Sequence, residues 1–93
     1  MANFMERFKE YLKIDSEYLG GPHKVYKFPN NYGARVIKNN YSYGGKEGLW
    51  EIGVLFFDGY SYGLVCSKPI INDTLGYLTD EEVENALEKI KNL

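Results

Sequence analysis

His23 and Cys66 are the only histidine and cysteine in this 93-residue chain, so few groups could support nucleophilic chemistry. A histidine base would have to be His23, with Cys66 or a serine as the nucleophile. No residue is spaced to orient such a base, and His23 follows Gly-Gly-Pro, which is typical of a turn. Cys66 ends an apolar run, where cysteine usually acts as a small buried hydrophobe. We therefore expect no catalytic residue and a protein that is not an enzyme.

Metal and nucleotide sites are not indicated either. The acidic run 80–84 begins a predicted helix, and consecutive helical side chains fan out around the axis instead of converging on one ion. Gly44-Gly45-Lys46 lacks the Ser or Thr and the following helix of a P-loop, because a strand follows it. A single cysteine gives neither a zinc pattern nor an internal disulfide. We expect no metal and no cofactor.

The basic segment, residues 20–46, is a candidate nucleic-acid interface. Its Lys and Arg residues are interleaved with tyrosines, and it contains no Asp or Glu. Cations follow phosphates and aromatic rings stack on bases in single-strand binding surfaces. A sequence pI of 5.4 weighs against this role. The residues that would act are Lys24, Lys27, Arg35, Lys38, Tyr41, Tyr43 and Lys46.

The net charge changes sign along the chain. Residues 1–46 carry +4 and residues 47–93 carry −6, for a formal total of −2. The acidic half could contact a basic partner or imitate a phosphate backbone, although a solvated helix face is the commoner explanation. The acidic partner-binding candidates are Asp80, Glu81, Glu84 and Glu88.

The fold that positions the candidate residues is organised around a central predicted hairpin. Two runs of aromatic and β-branched residues meet there at Asp58-Gly59. An Asp-Gly pair between such runs predicts a two-residue hairpin. The expected cross-strand pairs are Phe57 with Tyr60, Leu55 with Tyr62, and Gly53 with Leu64.

The two faces of this hairpin differ in composition. One face is expected to form the core beneath the helices, and its members are Trp50, Ile52, Val54 and Phe56. The other face is aromatic and needs cover from the 39–48 loop or from another chain, which includes a second copy in a homodimer. The partner-binding candidates on it are Leu55, Phe57, Tyr60 and Tyr62.

The remaining pattern predicts two helices and a second hairpin. A first helix is expected over residues 3–14, strands over 24–28 and 34–38, and a final helix capped by Thr79 with Glu82 at its third position. The order is α-β-β-β-β-α, a single α+β domain over residues 1–93. We expect a four-stranded antiparallel sheet of two hairpins, with both helices on the Trp50 face.

The sequence contains no signal peptide and no apolar run of 18 residues. We therefore expect a cytoplasmic protein that does not enter a membrane.

Three segments resemble those of a set of small bacteriophage proteins of uncharacterised role. They are Phe-Pro-Asn-Asn-Tyr-Gly-Ala at 28–34, Gly-Leu-Trp-Glu at 48–51, and Leu-Thr-Asp-Glu-Glu-Val at 78–83. Asn31 stands where that set usually has glycine, and asparagine also adopts the left-handed conformation. The resemblance implies a phage or prophage origin and action in a host cell. Small phage proteins of this build often bind a host protein, and some inhibit CRISPR-Cas or other defences.

The sequence therefore favours a small, phage-type, non-enzymatic protein that binds and modulates a host protein, and inhibition of a host defence such as CRISPR-Cas is one form of this role. The alternative is a single-stranded nucleic-acid-binding module that uses residues 24–46.

Overall fold

The computed structural model of this chain describes residues 4–58, 61–64 and 74–93. These residues form an α+β fold. A short helix and a 3₁₀ turn precede the sheet, and one longer helix follows it. In chain order the elements are α1 (Phe4–Arg7), a 3₁₀ turn (Lys9–Tyr11), β1 (Leu12–Tyr18), β2 (Gly21–Lys27), β3 (Tyr32–Ile37), a 3₁₀ turn (Gly45–Glu47), β4 (Trp50–Asp58), β5 (Ser61–Leu64), β6 (Thr74–Leu78) and α2 (Asp80–Lys91).

Within the described residues the sheet is antiparallel and contains six strands, and it is five strands wide because β5 and β6 lie on the same side of β4. Strands β1 to β5 are paired in chain order, and β6 also pairs with β4. Strand β3 lies along one side of β4, while β5 pairs with residues 55–58 and β6 with residues 50–53 on the other side. The α+β class and both predicted hairpins are confirmed, but the prediction of four strands is wrong.

The first helix is much shorter than the predicted span of residues 3–14. It ends at Arg7, and strand β1 begins at Leu12. From Leu12 to Tyr18 charged residues alternate with uncharged ones, which is the period of a strand. After this strand, Leu19 and Gly20 have φ angles of 53° and 84°. Two positive φ angles form the tight hairpin turn that joins β1 to β2. Pairing with β2 therefore overrides a helical pattern that is too short to be stable alone.

The central hairpin has a different register from the predicted one. Phe57 lies opposite Tyr62, and Asp58 pairs with Ser61. The connection therefore falls on residues 59–60, which lie outside the described residues, and Asp58 belongs to the strand. The shift is two residues, so it preserves the set of residues that share a face.

The main core lies between the sheet and the helices. Trp50, Ile52 and Val54 are buried there with the apolar stripe of α2, as predicted. The prediction for Phe56 is wrong, because its side chain is 42% exposed and packs edge-to-face on Tyr32 with ring centroids 5.2 Å apart.

The aromatic face of the central hairpin is covered at Leu55 and Phe57, two of the four residues predicted to bind a partner there. Leu55 is 2% and Phe57 is 8% exposed, and both belong to a smaller buried cluster with Val25. Ile14 of β1 packs against this cluster, and the Lys27 ammonium lies 5.8 Å from the centre of the Phe57 ring. Strand pairing thus brings β1 and β2 residues to this face.

Helix α2 is fixed at both ends. The predicted capping box is present, since Thr79 Oγ1 accepts a hydrogen bond from the Glu82 amide and Glu82 Oε1 accepts one from the Thr79 amide. At the other end Asn30 Nδ2 donates to the carbonyls of Ile90 and Lys91, and the Ile90 carbonyl also accepts from the Leu93 amide. No helix within the described ranges is long and apolar enough to cross a membrane.

Candidate functional site

Three tyrosines are the most exposed large hydrophobic side chains among the described residues. Tyr41, Tyr43 and Tyr77 are 79%, 63% and 58% exposed. The first two lie on the 39–48 loop and the third lies on β6, and the Tyr77 amide donates to the Tyr43 carbonyl at 3.1 Å. We call these three residues the tyrosine patch. Exposed tyrosines on adjoining segments are typical of binding surfaces, because tyrosine is enriched among the residues that dominate interface energies.

A buried asparagine shapes the loop that carries two of these tyrosines. Asn39 is 6% exposed, and its Oδ1 accepts hydrogen bonds from the amides of Tyr41 and Ser42 at 2.8 and 2.9 Å. Its Nδ2 donates to the Tyr18 carbonyl at the end of β1. The Ser42 hydroxyl in turn accepts from the Asn39 amide at 2.9 Å. Asparagine side chains that bond the backbone two or three residues ahead stabilise turns of this kind.

Tyr43 is held from two directions. Its amide donates to Glu51 Oε1 at 2.7 Å, and its carbonyl accepts from the Tyr77 amide. One bond leads to β4 and the other to β6. The loop is therefore attached to the sheet at the residue that bears an exposed ring.

Two glycines allow the loop to approach β6 closely. Gly44 has a φ of 88°, and a Cβ at this position would lie 2.7 Å from the Tyr77 Cα. A Cβ at Gly76 would overlap the Cβ of Tyr43. Both positions therefore require glycine for the loop and the strand to touch.

A β-bulge places Tyr77 on the outside. Gly76 and Tyr77 together oppose the single residue Glu51 of β4. Tyr77 adopts a φ of 58°, which is unfavourable for a residue with a side chain. Bulges redirect side chains, and strained backbone concentrates at functional positions. The conformation of Tyr77 thus supports a role for its exposed ring.

An open groove of about 410 Å³ adjoins the tyrosine patch. Most of the residues that line it are polar, and two of them carry opposite charges. The lining residues are Asn40, Ser42, Gly44, Lys46, Glu47 and Tyr77.

No family model, curated protein or solved structure matches the chain.

The segments that carry the resemblance to phage proteins all meet at α2. Asn30 bonds its C-terminal carbonyls, Trp50 bonds Asp80 in its first turn, and Thr79 caps its N-terminus. These residues hold the fold together, and none of them belongs to the tyrosine patch.

The structure does not gather the basic segment into one patch. The ammonium group of Lys24 is 2.8 Å from Asp15, and that of Lys38 is 4.1 Å from the centre of the Trp50 ring. The Arg35 guanidinium lies 5.7 Å from the Tyr18 ring centre. Strand alternation places Arg35 and Lys27 on the Val25 side of the sheet, opposite the side of Lys38. Of the predicted nucleic-acid-binding residues, only Tyr41, Tyr43 and Lys46 lie at the patch or groove.

The predicted partner-binding residues are also dispersed. Leu55 and Phe57 are buried, Tyr60 lies outside the described residues, and only the backbone of Tyr62 is described. The acidic candidates on α2 are exposed or half-buried, and three of them contact other side chains. Glu84 and Glu88 pair with Arg7 at 2.7 and 3.1 Å, Asp80 accepts from Trp50, and Glu81 is exposed.

His23 lies within β2 and not in a turn, which corrects the sequence interpretation. Its Nδ1 is 3.2 Å from the hydroxyl oxygen of Ser16 on β1. Burial, with a smaller effect of the Arg35 charge, lowers the pKa of His23 below the ordinary value of a histidine. No carboxylate among the described residues bonds the ring to complete a catalytic arrangement, and Cys66 lies outside these residues. In the same part of the chain, no three acidic, histidine or cysteine side chains form a possible metal site.

Sequence reasoning missed Tyr77, Asn39 and Glu51 as parts of this surface. Tyr77 lies in Thr-Leu-Gly-Tyr-Leu, a short segment of β-forming residues whose glycine is typical of a bulge. The Asn-Asn pair at 39–40 indicated a turn but not which side chain would be buried. Nothing in the sequence indicated that the Glu51 carboxylate accepts a hydrogen bond from the Tyr43 amide.

Proposed function

We propose that this chain is a non-enzymatic protein that binds a partner protein through the tyrosine patch and modulates its activity. The observation that carries the proposal is the exposure of three tyrosines on a backbone fixed by Asn39, Glu51 and Gly44. Tyrosine offers a large amphipathic contact area with few torsions to immobilise. A loop that is already ordered also loses less conformational freedom on binding.

The resemblance to small phage proteins makes the partner a host protein in the cytoplasm. Inhibition of a host defence such as CRISPR-Cas is the specific form of this proposal. It requires binding and no catalytic group.

Single-stranded nucleic-acid binding is the second candidate, and it is favoured by the occurrence of Lys46 on the same loop as the exposed Tyr41 and Tyr43. Its weakness is the small number of cations at this surface. Glu47 lines the same groove as Lys46, while Lys24 and Lys38 contact other parts of the molecule. Single-strand binding surfaces combine stacking rings with a basic track along the backbone.

The test is affinity capture from a bacterial host lysate with the wild-type chain, a Tyr41→Ser/Tyr77→Ser variant and a Tyr18→Ser control. Tyr18 is also an exposed tyrosine, but it lies at the end of β1 and is not part of the tyrosine patch; only its backbone carbonyl contacts Asn39, and the substitution keeps that group. We expect a host protein that is captured by the wild type and the control and lost with the double variant. Equal capture by all three chains would contradict the proposal.

Two further measurements accompany the capture. In cells with active CRISPR-Cas, expression of the wild type but not of the double variant should restore transformation by a targeted plasmid if the partner belongs to that system. Binding of an oligothymidylate at low salt that weakens steeply as salt rises, and that needs Tyr41, would instead support the nucleic-acid candidate.

A further inference from the structure

We propose that four side chains on the Val25 side of the sheet bind the phosphate group of a small phosphate monoester. The four are Ser16 and Tyr18 of β1, His23 of β2 and Arg35 of β3. We call them the Arg35 cluster. None of them belongs to the tyrosine patch, so this site goes beyond the proposed function and is tested separately from it.

Strand pairing brings the cluster together. Ser16 lies opposite His23, and Arg35 lies opposite Val25, two residues further along β2. Residues two apart on a strand point to the same side of a sheet, and Tyr18 stands in this relation to Ser16. All four side chains therefore leave the sheet on the same side.

The side chains form a continuous set of contacts. Ser16 Oγ is 3.2 Å from His23 Nδ1, and the ring centres of His23 and Tyr18 are 5.9 Å apart. The guanidinium carbon of Arg35 lies 5.7 Å from the centre of the Tyr18 ring. Ser16 and Tyr18 are exposed and His23 and Arg35 are half-buried, so a small ligand can reach the cluster from solvent.

Arg35 carries a charge that the described part of the chain does not pair. Arg7, Lys24 and Lys91 each lie within 4 Å of a carboxylate, whereas among the described residues the only recorded contact of the Arg35 guanidinium is with the Tyr18 ring. A guanidinium has five N–H donors in a planar fork that fits a phosphate with two parallel hydrogen bonds. Packing against Tyr18 holds this fork in place and leaves its donors available to an anion.

The pair of Ser16 and His23 adds a donor beside the fork. With the imidazole proton on Nε2, the Ser16 hydroxyl donates to Nδ1 and the Nε2–H is free. With the proton on Nδ1, the imidazole donates to Ser16 and the hydroxyl proton is free. A protonated His23 frees both donors and adds a positive charge.

The carboxylates nearest in sequence or register are engaged elsewhere. Asp15 pairs with Lys24 at 2.8 Å, and strand alternation places both, together with Glu17, on the opposite side of the sheet. Glu51 is two strands from His23 in the same row, and it accepts a hydrogen bond from the Tyr43 amide. An anion at the Arg35 cluster thus meets one fixed cation and no carboxylate in contact with it.

The number of donors favours a terminal phosphate over a carboxylate. The fork of Arg35 alone supplies the two hydrogen bonds that a carboxylate takes, and His23 with Ser16 supplies the third that a phosphate monoester can use. A nucleic-acid strand would need a row of cations. Lys27 instead leans towards the Phe57 ring on β4, and Lys38 lies on the opposite side of the sheet at Trp50. One isolated phosphate fits this arrangement.

The test is an NMR titration of the intact ¹⁵N-labelled chain with glycerol 3-phosphate at pH 7.5 and constant ionic strength, with acetate as the comparison anion. We expect saturable shifts at the amides of residues 16–18, 23 and 35, with a Kd of about 1 mM or tighter. Arg35→Gln should weaken binding at least about tenfold, because it removes hydrogen bonds between charged groups. Ser16→Ala should weaken it by a smaller factor.

Lys27→Gln is the matched control, since it removes a positive charge from the same side of the sheet outside the cluster. Its affinity should equal that of the wild type. The NMR spectrum of each variant checks its fold, and Ser16→Ala tests the site without removing the half-buried arginine.

The single histidine gives a second readout that a purely structural Arg35 would not change. Sulfate imitates the phosphate and keeps its two charges between pH 5 and pH 8. Saturating sulfate should raise the pKa of His23 by about 1 relative to chloride at equal ionic strength, because a bound anion favours the imidazolium. In Arg35→Gln the pKa of His23 should be the same in both salts.

Three results would overturn the proposal. They are shifts that do not saturate, equal affinity for acetate and glycerol 3-phosphate, and equal affinity of Arg35→Gln and Lys27→Gln. Tighter binding of an oligothymidylate than of glycerol 3-phosphate, lost in Arg35→Gln, would assign the cluster to a nucleic-acid strand and would also overturn it.

Discussion

The indole Nε1 of Trp50 donates a hydrogen bond to Oδ1 of Asp80 at 2.7 Å. This bond joins the first residue of β4 to the first residue of α2. The same indole packs edge-to-face on Phe4 of α1, with ring centroids 5.2 Å apart, and lies under the Lys38 ammonium. One side chain thus connects both helices to the sheet.

The first prediction concerns this bond. Trp50→Phe and Asp80→Ala should each lower the free energy of unfolding, and the double variant should lose less than the sum of the two. We expect a coupling of about 1 kcal/mol, below the range of about 1.5–3 kcal/mol for hydrogen bonds to charged groups, because Asp80 is solvent-exposed. Urea denaturation of the four chains measures it, and strict additivity would contradict a stabilising role for the bond.

The second prediction concerns the loop. Asn39→Ala should destabilise the fold by about 1–3 kcal/mol, because it removes the acceptor of the Tyr41 and Ser42 amides in a buried position. The control is Asn40→Ala at an exposed neighbour, which should change stability by no more than about 0.5 kcal/mol. Hydrogen exchange at the Tyr41 and Ser42 amides should be faster in Asn39→Ala than in the wild type, and unchanged in Asn40→Ala.

The third prediction separates strain from recognition at Tyr77. Because its φ of 58° suits glycine, Tyr77→Gly should be more stable than Tyr77→Ala by about 1 kcal/mol. Both variants lack the ring and should lose partner binding equally. A Tyr77→Ala chain as stable as the glycine variant would show that the backbone relaxes out of this conformation.

The fourth prediction concerns pH and the single histidine. Burial and the charge of Arg35 lower the pKa of His23 in the folded chain, so the unfolded chain takes up its proton first as pH falls. The contribution of neutral His23 to stability is therefore fully present above its ordinary pKa of about 6.5 and is lost as pH falls through the lowered value. Thermal unfolding between pH 8 and pH 5 should show a smaller loss for His23→Gln than for the wild type. NMR titration of the imidazole should give a midpoint below 6.5, and a higher midpoint would reverse the expectation.

The fifth prediction concerns the phenol of Tyr26, which is fully buried and makes no hydrogen bond to the part of the chain that the structure describes. Burial, with a smaller effect of Asp15, raises the pKa of Tyr26 to about 12. Tyr26→Phe should leave the stability at pH 7 unchanged or raise it by up to about 1 kcal/mol, because it removes an unpaired polar group from the core. Above pH 10 the wild type should lose stability that the variant keeps, since the unfolded phenol ionises first. Denaturation at pH 7 and pH 11 tests both parts, and a clear loss of stability at pH 7 would reveal a hidden partner for the hydroxyl.

Local signals in the sequence predicted the parts of the fold that depend on local chemistry. Thr79 and Glu82 form the capping box because both partners lie within one turn. The alternation along β4 placed Trp50, Ile52 and Val54 in the main core because strand periodicity fixes which residues share a face. Asn31 adopts a φ of 70°, in agreement with its expected left-handed conformation.

Features that depend on distant partners were not predictable in the same way. The cover over Leu55 and Phe57 includes Val25 and Ile14, which reach it through strand pairings that periodicity does not specify. Strand β6 pairs with β4 through a bulge, so its alternation is interrupted at Gly76 and Tyr77. Tyr41 and Tyr43 could be named from the sequence, but the contact of Tyr43 with Tyr77 arises only when the loop contacts β6.

The placement of β5 and β6 along one side of β4 has a consequence for solubility. Residues 54–57, Val-Leu-Phe-Phe, form an uncharged run of strong strand formers, the type of segment that assembles into aggregates when its backbone is unpaired. Strand β3 occupies one side of β4, and the two short strands divide the other side between them. Two strands of four and five residues thereby protect a nine-residue strand from intermolecular pairing. Loss of β5 would leave residues 55–57 of this run unpaired on one side and able to nucleate self-assembly.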